Sequence, residues 1–195
     1  KHFYMLNSNN EYEEVTSIEI PDTVTIIGKY QFYGFDNVTS ITIPNSVTLI
    51  GGDAFYNCSS LTIYCKATSE PNGWNSNWNN FNRPVYYGIT KDNKVEKDGV
   101  IYVIKNNEAI VTRYAGNGTN ITIPSTIELN GKTYSVTKIG NYAFSSCTLL
   151  TSITLPSSVT YIGYEAVSGT SLTIYCEASS QPSEWNSNLI DSNCK

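Results

Sequence analysis

The sequence predicts a mainly β solenoid, in which short parallel strands stack at intervals of about 23 residues. Two observations predict it. The passages VTSIEIPDTVTIIG (15–28) and VTSITIPNSVTLIG (38–51) lie 23 residues apart, and LTSITLPSSVTYIG (150–163) repeats them. The stretch LTIYCKATSEPNGWNSN (61–77) returns as LTIYCEASSQPSEWNSN (172–188), with 12 of 17 positions identical. Repeats of this length are typical of coils that stack and share one continuous core.

The first half of each repeat predicts a short strand. An apolar residue is followed at +3 and +5 by Ile or Leu and then by proline, as in Val38, Ile41, Ile43 and Pro44. The apolar pair with one polar residue between fits a strand that buries one face. Proline ends the strand because it cannot donate a ladder hydrogen bond. The spacing L-x-x-L-x-L is that of a leucine-rich repeat.

The second half of each repeat predicts a turn and a return to the core. Seven residues past the proline comes Ile-Gly, as in Ile50-Gly51, where we expect glycine to allow a turn that a Cβ would obstruct. An apolar residue such as Phe55 follows at +4, and Cys58 and Cys147 occupy the position three further on. Because free cysteine behaves as a small hydrophobe, we expect both to be structural.

These residues resemble the BspA-like leucine-rich repeat family of cell-surface and secreted proteins. ITIPNSVTLIGGDAFYNCSSL (41–61) matches its repeat throughout, and IGNYAFSSCTLLTSITLPSSVTYIGYEAV (139–167) follows it closely. Phe35 and Thr170 depart from it at the Cys position. The resemblance implies a right-handed solenoid outside the cell, with roles in adhesion, binding of host or matrix proteins, and co-aggregation. It brings no catalytic residues.

The repeats fall into two tandem segments, predicted at residues 11–88 and 98–188. The polar, turn-rich stretch GITKDNKVEKDG (88–99) is the expected junction. DGVIYVIKNNEAIVTRY (98–114) predicts a β-hairpin that caps the second segment, and Asn130-Gly131 predicts a second hairpin turn. In the twice-written stretch, Trp74 and Trp185 are expected to be structural caps. Trp78 is replaced by Leu189 in the second copy, so we expect Trp78 to be free for contact with a ligand.

Composition and charge argue against several functions. A net charge of −5 and a pI near 4.8 disfavour nucleic acid and anionic membranes as partners. The sequence contains no run of 18 apolar residues, so we expect no membrane insertion of this fragment. The chain begins without Met, as expected of a processed or excised fragment. Its single histidine, His2, leaves no basis for a catalytic triad, and we expect no catalytic residue, metal or cofactor.

Two minor alternatives concern ions and disulfides. Asp92, Glu96 and Asp98 are acidic enough to hold calcium but lack the ligand spacing of a known loop, which favours a solvated linker. A Cys58–Cys65 disulfide is conceivable, although the second copy has no matching cysteine to form it.

The predicted function is an extracellular or cell-surface protein–protein interaction module of the adhesion type, without catalytic activity. Its partner would be a protein on a host, a matrix or a neighbouring cell. Carbohydrate binding, suggested by WNSNWNNFNRPVYY (74–87), and a passive spacer are the alternatives. Exposed aromatic residues carry much of the energy of interfaces, although these residues could equally pack on the outside of a coil. The candidate ligand-binding residues are Tyr30, Tyr33, Tyr56, Trp78, Phe81, Tyr142 and Tyr164.

Overall fold

The computed structural model describes residues 4–180 and 182–185, and none of these residues forms a helix. The chain divides into two compact units, residues 1–90 and 91–195. The strands have two to four residues in the first unit and two to eight in the second.

The described part of the first unit contains eight short strands. They are β1 (Tyr4–Leu6), β2 (Tyr12–Glu14), β3 (Ser17–Glu19), β4 (Ile26–Ile27), β5 (Ser40–Ile43), β6 (Leu49–Ile50), β7 (Thr62–Cys65) and β8 (Val85–Tyr87). β1 and β2 form an antiparallel hairpin. β3, β5, β7 and β8 form a parallel sheet, and β4 and β6 a second one. The residues that lie side by side across the larger sheet are Ile18, Ile41, Ile63 and Val85.

This register shows that one repeat makes one coil. Each coil contributes one strand to the larger sheet. Further along the same coil, a second short strand pairs with the equivalent strand of the preceding coil, as β6 does with β4. A third ladder joins the turns, since the Phe32 amide donates to the Ala54 carbonyl at 2.9 Å and the Gly34 amide to the Tyr56 carbonyl at 3.0 Å. Backbone hydrogen bonds therefore connect adjacent coils on three sides. The predicted mainly β leucine-rich-repeat solenoid is confirmed.

The glycine of Ile-Gly has a different role from the expected one. Neither Gly51 nor Gly163 has a positive φ, so the turn itself does not require glycine. Instead, a Cβ at Gly51 would lie 2.5 Å from the Lys29 amide nitrogen of the preceding coil. At Gly163 it would lie 2.6 Å from the Asn141 amide nitrogen. Glycine is needed because adjacent coils approach closely there.

Nine further strands lie in the second unit, counted over its described residues, 91–180 and 182–185. They are β9 (Lys94–Lys97), β10 (Val100–Lys105), β11 (Glu108–Tyr114), β12 (Asn120–Thr122), β13 (Thr126–Leu129), β14 (Lys132–Ile139), β15 (Ser152–Leu155), β16 (Tyr161–Ile162) and β17 (Thr173–Cys176). β12, β15 and β17 form a parallel sheet that corresponds to the larger sheet of the first unit. β11, β14 and β16 are also parallel neighbours.

Both predicted hairpins are present in the second unit. β10 and β11 pair antiparallel around Asn106 and Asn107, whose φ angles of 52° and 65° are left-handed. β13 and β14 pair around Asn130-Gly131, which has the same geometry. Two consecutive left-handed residues give the tight turn that suits the twist of paired strands. The first hairpin covers the first coil, because β11 pairs directly with β14.

The stretch predicted as a polar junction is partly strand. β9 lies within it and pairs antiparallel with β10, opposite the side of β10 that carries β11. Asp98 and Gly99 form the turn between them, with φ angles of 51° and 73°. Polar sequence did not prevent strand formation here, because an edge strand needs only backbone pairing and one inward apolar residue, Val95.

Candidate interaction surface

Four of the predicted candidates form one continuous cluster on the outside of the first unit. Their side chains are 37% to 46% exposed. We call this cluster the aromatic surface; it consists of Tyr30, Tyr33, Tyr56 and Phe81.

The rings of the aromatic surface contact one another directly. Tyr33 and Tyr56 are stacked, with centroids 5.5 Å apart. Tyr30 contacts both of them edge-on at 6.2 Å. Tyr56 meets Phe81 at 4.9 Å, nearly perpendicular. Edge-to-face and offset pairs are the favoured geometries of aromatic rings, so the cluster is held in place by its own contacts.

The core beneath holds the aromatic surface in position. Tyr33 and Tyr56 each follow a phenylalanine, Phe32 and Phe55, whose rings stack 5.4 Å apart within the coils. The backbone ladder between turns keeps successive coils in register. Because the inward phenylalanine of each coil packs in the interior, the adjacent tyrosine leaves the backbone on the outward side, where it meets the tyrosine of the next coil.

Two cations lie against the aromatic surface, and sequence reasoning did not single out either. The Lys29 ammonium lies 4.9 Å from the Tyr30 ring centroid. The Arg83 guanidinium lies 5.9 Å from the Phe81 centroid and donates from Nη1 to the Ser59 carbonyl at 2.8 Å. Both distances are within the range of cation–π attraction. The signal in the sequence was their nearness to a candidate aromatic residue, but nothing in it showed the direction of either side chain.

The expectation that Trp78 is exposed and free to contact a ligand is wrong. Its side chain is 4% exposed and lies in the core of the first unit. It packs edge-on against Phe55 at 5.9 Å and against Trp74 at 4.8 Å. Its apolar counterpart Leu189 lies outside the described residues. Two apolar residues at equivalent positions were in fact a signal of burial.

Trp74 and Trp185 occupy equivalent positions at the ends of the coils. Each forms a parallel β-bridge with the isoleucine of the preceding Ile-Gly, Ile50 or Ile162. The Trp74 indole N–H donates to the Val47 carbonyl at 3.2 Å, and that of Trp185 to the Val159 carbonyl at 3.3 Å. Both are buried within the core of their unit.

The cysteines of the described residues are free thiols. Cys58 is buried and its thiol donates to the Phe32 carbonyl of the preceding coil at 3.0 Å. Cys147 is half-buried and donates to the Tyr114 carbonyl at 3.7 Å. Burial raises the pKa of both thiols. Burial, with a smaller effect of Glu70, raises the pKa of Cys65 to about 12. Cys194 lies outside the described residues.

The remaining candidates form a smaller pair in the second unit. Tyr142 is half-buried and Tyr164 is 45% exposed, with ring centroids 5.7 Å apart. A hydrogen bond with Glu165 is the main cause of the raised pKa of Tyr164. Two rings present less contact area than the four of the aromatic surface.

Comparison with known proteins identifies the family. The profile described as "BspA type Leucine rich repeat region" matches the chain in six copies, over residues 7–78 and 113–192. The chain belongs to this family. Its BspA-type repeats are the coils described above, and the cysteine position is filled by Cys58 in one coil and Cys147 in another. Among curated proteins, the search found no match.

Solved structures similar to this BspA-type chain come from bacteria. A leucine-rich repeat protein from Bacteroides capillosus is 29% identical over 43% of this chain and 70% of that one, with a TM-score of 0.38. A leucine rich cell surface protein from Faecalibacterium prausnitzii is 18% identical over 94% and 76%, with a TM-score of 0.40. The pneumococcal vaccine antigen PcpA is 17% identical over 87% and 55%, with a TM-score of 0.41.

Two findings concern other kinds of site in the BspA-type chain. In residues 4–180 and 182–185, no three His, Cys, Asp or Glu side chains are grouped as a metal site. The same residues include no helix of sufficient length and apolarity to cross a bilayer.

Proposed function

We propose that this chain is an extracellular protein-binding module of the adhesion type, and that the aromatic surface is where its partner binds. One observation carries the proposal: four exposed rings on successive coils form a single cluster of mutually contacting side chains with a cation beside each end. Tyrosine, phenylalanine and arginine are enriched at protein interfaces. Rigid aromatic side chains lose little conformational entropy on binding.

The ring geometry favours a protein over a glycan as the partner. A sugar ring stacks on a free aromatic face. On the aromatic surface, however, Tyr56 and Phe81 meet at 87°, and the Arg83 guanidinium lies over the Phe81 ring. Rings that meet edge to face form an uneven apolar surface with cations at its margin. Such a surface fits a protein partner that has complementary pockets.

The proposal is tested with a double variant, Tyr56→Ser with Phe81→Ser. The immobilised chain is incubated with purified matrix proteins and with solubilised surface proteins of candidate host cells, and retained proteins are identified and titrated individually. We expect the double variant to weaken a specific interaction at least about tenfold, since central aromatic anchors carry most of the binding energy. The matched control is Tyr12→Ser, which removes a 76% exposed tyrosine from β2.

The outcomes separate the candidate functions. Equal retention by wild type and double variant would contradict the proposal. Specific signals on a glycan array that disappear with Phe81→Ala would favour carbohydrate binding instead. Trp78→Ala is unsuitable for that assay because it would disturb the core. No retention of any protein or glycan, across salt and pH, would favour the passive spacer.

The extracellular location is a separate part of the proposal. Its support is the membership of the BspA-type family and the low content of charged residues, 15%, with many Tyr, Asn and Thr residues. Labelling of intact cells of the source organism with an antibody against the chain tests it. Signal that appears only after permeabilisation would overturn this part and leave the binding assay unaffected.

A further inference from the structure

The second unit contains a groove beside the edge of a strand. Among the described residues, no other strand pairs with that edge. The groove has a volume of about 630 Å³, and the described residues that line it belong to the second unit. One side is β12, and the other is the end of β9 with its turn, Glu96 to Gly99. The buried rings of Tyr102 and Tyr114 also line it.

β12 is the terminal strand of its sheet. It pairs with β15 on one side, and within the described part of the chain no strand pairs with its other side. The Thr119 carbonyl accepts from the Thr151 amide, and the Ile123 amide donates to the Thr154 carbonyl. In a strand, successive residues direct their backbone groups to opposite sides. Odd-numbered residues therefore face β15, and the N–H and C=O groups of Asn120 and Thr122 face away from it.

The charge of the groove indicates what it would bind. Among the described residues that line it, the charged ones are Glu96 and Asp98, both acidic. Lys97 is not among the lining residues, since side chains alternate along β9. Burial and, to a smaller extent, the charge of Asp98 raise the pKa of Tyr102, which lines the same groove.

We propose that this groove binds an extended, lysine- or arginine-containing peptide segment, which adds to the open edge of β12 and directs its basic side chains to Glu96 and Asp98. Main-chain hydrogen bonds to Asn120 and Thr122 supply affinity, and the two carboxylates select the charge of the segment. The site is separate from the aromatic surface and does not depend on it.

The test uses a defined peptide as the probe. It has about eight residues that alternate threonine with lysine, with both ends blocked, so that all lysines fall on one face of a strand. Binding to the full chain is followed by amide NMR shifts and by titration. We expect shifts at 96–99 and 119–123. A peptide with glutamate in place of lysine, and a peptide N-methylated throughout, should bind at least about tenfold more weakly.

Variants of the chain locate the binding site. Glu96→Gln with Asp98→Asn removes the charge of the groove, and Thr122→Pro removes an outward-facing N–H at a position where an edge strand tolerates proline. We expect each to weaken binding at least about tenfold. The matched control is Glu128→Gln, an exposed carboxylate on β13 outside the groove, which should leave binding unchanged.

Several results would overturn the proposal. They are the absence of shifts at about 1 mM peptide, equal binding of the N-methylated peptide, or loss of binding in Glu128→Gln as large as in the double variant. If Thr122→Pro fails to fold, the N-methylated peptide alone decides whether backbone pairing is required.

Discussion

Glycine at the Ile-Gly position determines how closely adjacent coils approach. The position recurs in every complete repeat, yet its environment differs along the first unit. At Gly51 a Cβ would meet the backbone of Lys29 and Gly28 at 2.5 to 3.0 Å. At Gly28, in the first coil, it would meet only the Gln31 side-chain oxygen, at 3.2 Å. The same residue type is therefore essential in one coil and replaceable in another.

Substitution of these glycines separates the two cases. We expect Gly51→Ala to lower the free energy of unfolding by about 2 kcal/mol or more, because backbone atoms must shift to admit the methyl group. Gly28→Ala is the matched control. It should change stability by less than about 1 kcal/mol and can raise it, because alanine restricts the unfolded chain. Urea unfolding followed by tryptophan fluorescence measures both. Equal losses would show that the position matters for another reason.

At the scale of the residue, the buried thiol of Cys65 makes stability depend on pH. Its pKa rises from 9.0 to about 12 in the folded chain, so the folded state retains a proton that the unfolded state loses above pH 9. The stability contributed by the neutral thiol is complete below pH 9 and decreases as pH rises toward 12. The slope is about 1.4 kcal/mol per pH unit for this one group.

The comparison of wild type with Cys65→Ala checks this slope. Free energies of unfolding are measured between pH 8 and about pH 10.5, below the folded pKa. We expect the wild type to lose stability more steeply with pH than the variant, by up to about 1.4 kcal/mol per unit. Parallel pH profiles would show that Cys65 does not titrate differently in the two states.

At the scale of the element, the final coil of the first unit is closed by tryptophan in place of isoleucine. Trp74 continues the second sheet through its bridge to Ile50, and its indole N–H satisfies the Val47 carbonyl. Its ring packs on Trp78 at 4.8 Å and lies 6.4 Å from that of Tyr87. One residue thus provides backbone pairing, a hydrogen bond and apolar cover.

Two substitutions at Trp74 separate packing from hydrogen bonding. We expect Trp74→Ala to lower the free energy of unfolding by about 3–5 kcal/mol, as for other large buried aromatic residues. Trp74→Phe should lower it by about 1–3 kcal/mol, because the Val47 carbonyl loses its hydrogen-bond donor. Urea unfolding followed by circular dichroism gives both values. The control Phe81→Ala, at a 45% exposed ring, should cost clearly less than Trp74→Ala. A loss below about 1 kcal/mol for Trp74→Ala would contradict a role in closing the coil.

The elements were predictable where local sequence determines local geometry. Proline ended the strands, paired asparagine or Asn-Gly formed the hairpin turns, and Ile41 and Ile43 marked a buried strand. The burial of Trp78 was missed although Leu189 at the equivalent position pointed to it, because the contacts with Phe55 and Trp74 that bury the ring arise only in the folded coil. The cations beside the aromatic surface were missed because long, flexible side chains have no periodic signal.

At the scale of the whole molecule, sheets and cores are confined to single units. Every strand pairing of the described residues joins strands of the same unit. One core cluster runs from Ile18 to Tyr87 and the other from Val95 to Trp185. A unit with its own core and its own closed set of backbone pairs has what a domain needs to fold alone. We therefore expect 1–90 and 91–195 to fold as separate fragments.

The position of the boundary provides the sharper test. A fragment that begins at residue 98, where the sequence placed the second segment, lacks β9 and its apolar residue Val95. We expect 91–195 to unfold cooperatively in urea, and 98–195 to be less stable by about 1–3 kcal/mol, because β10 loses a paired strand and the core loses cover. Circular dichroism and Trp185 fluorescence follow both transitions. Absence of a cooperative transition in 91–195 would show that the second unit depends on the first. Equal stability of the two fragments would show instead that β9 belongs to a linker, and that the polar sequence of 88–99 had indicated its role correctly.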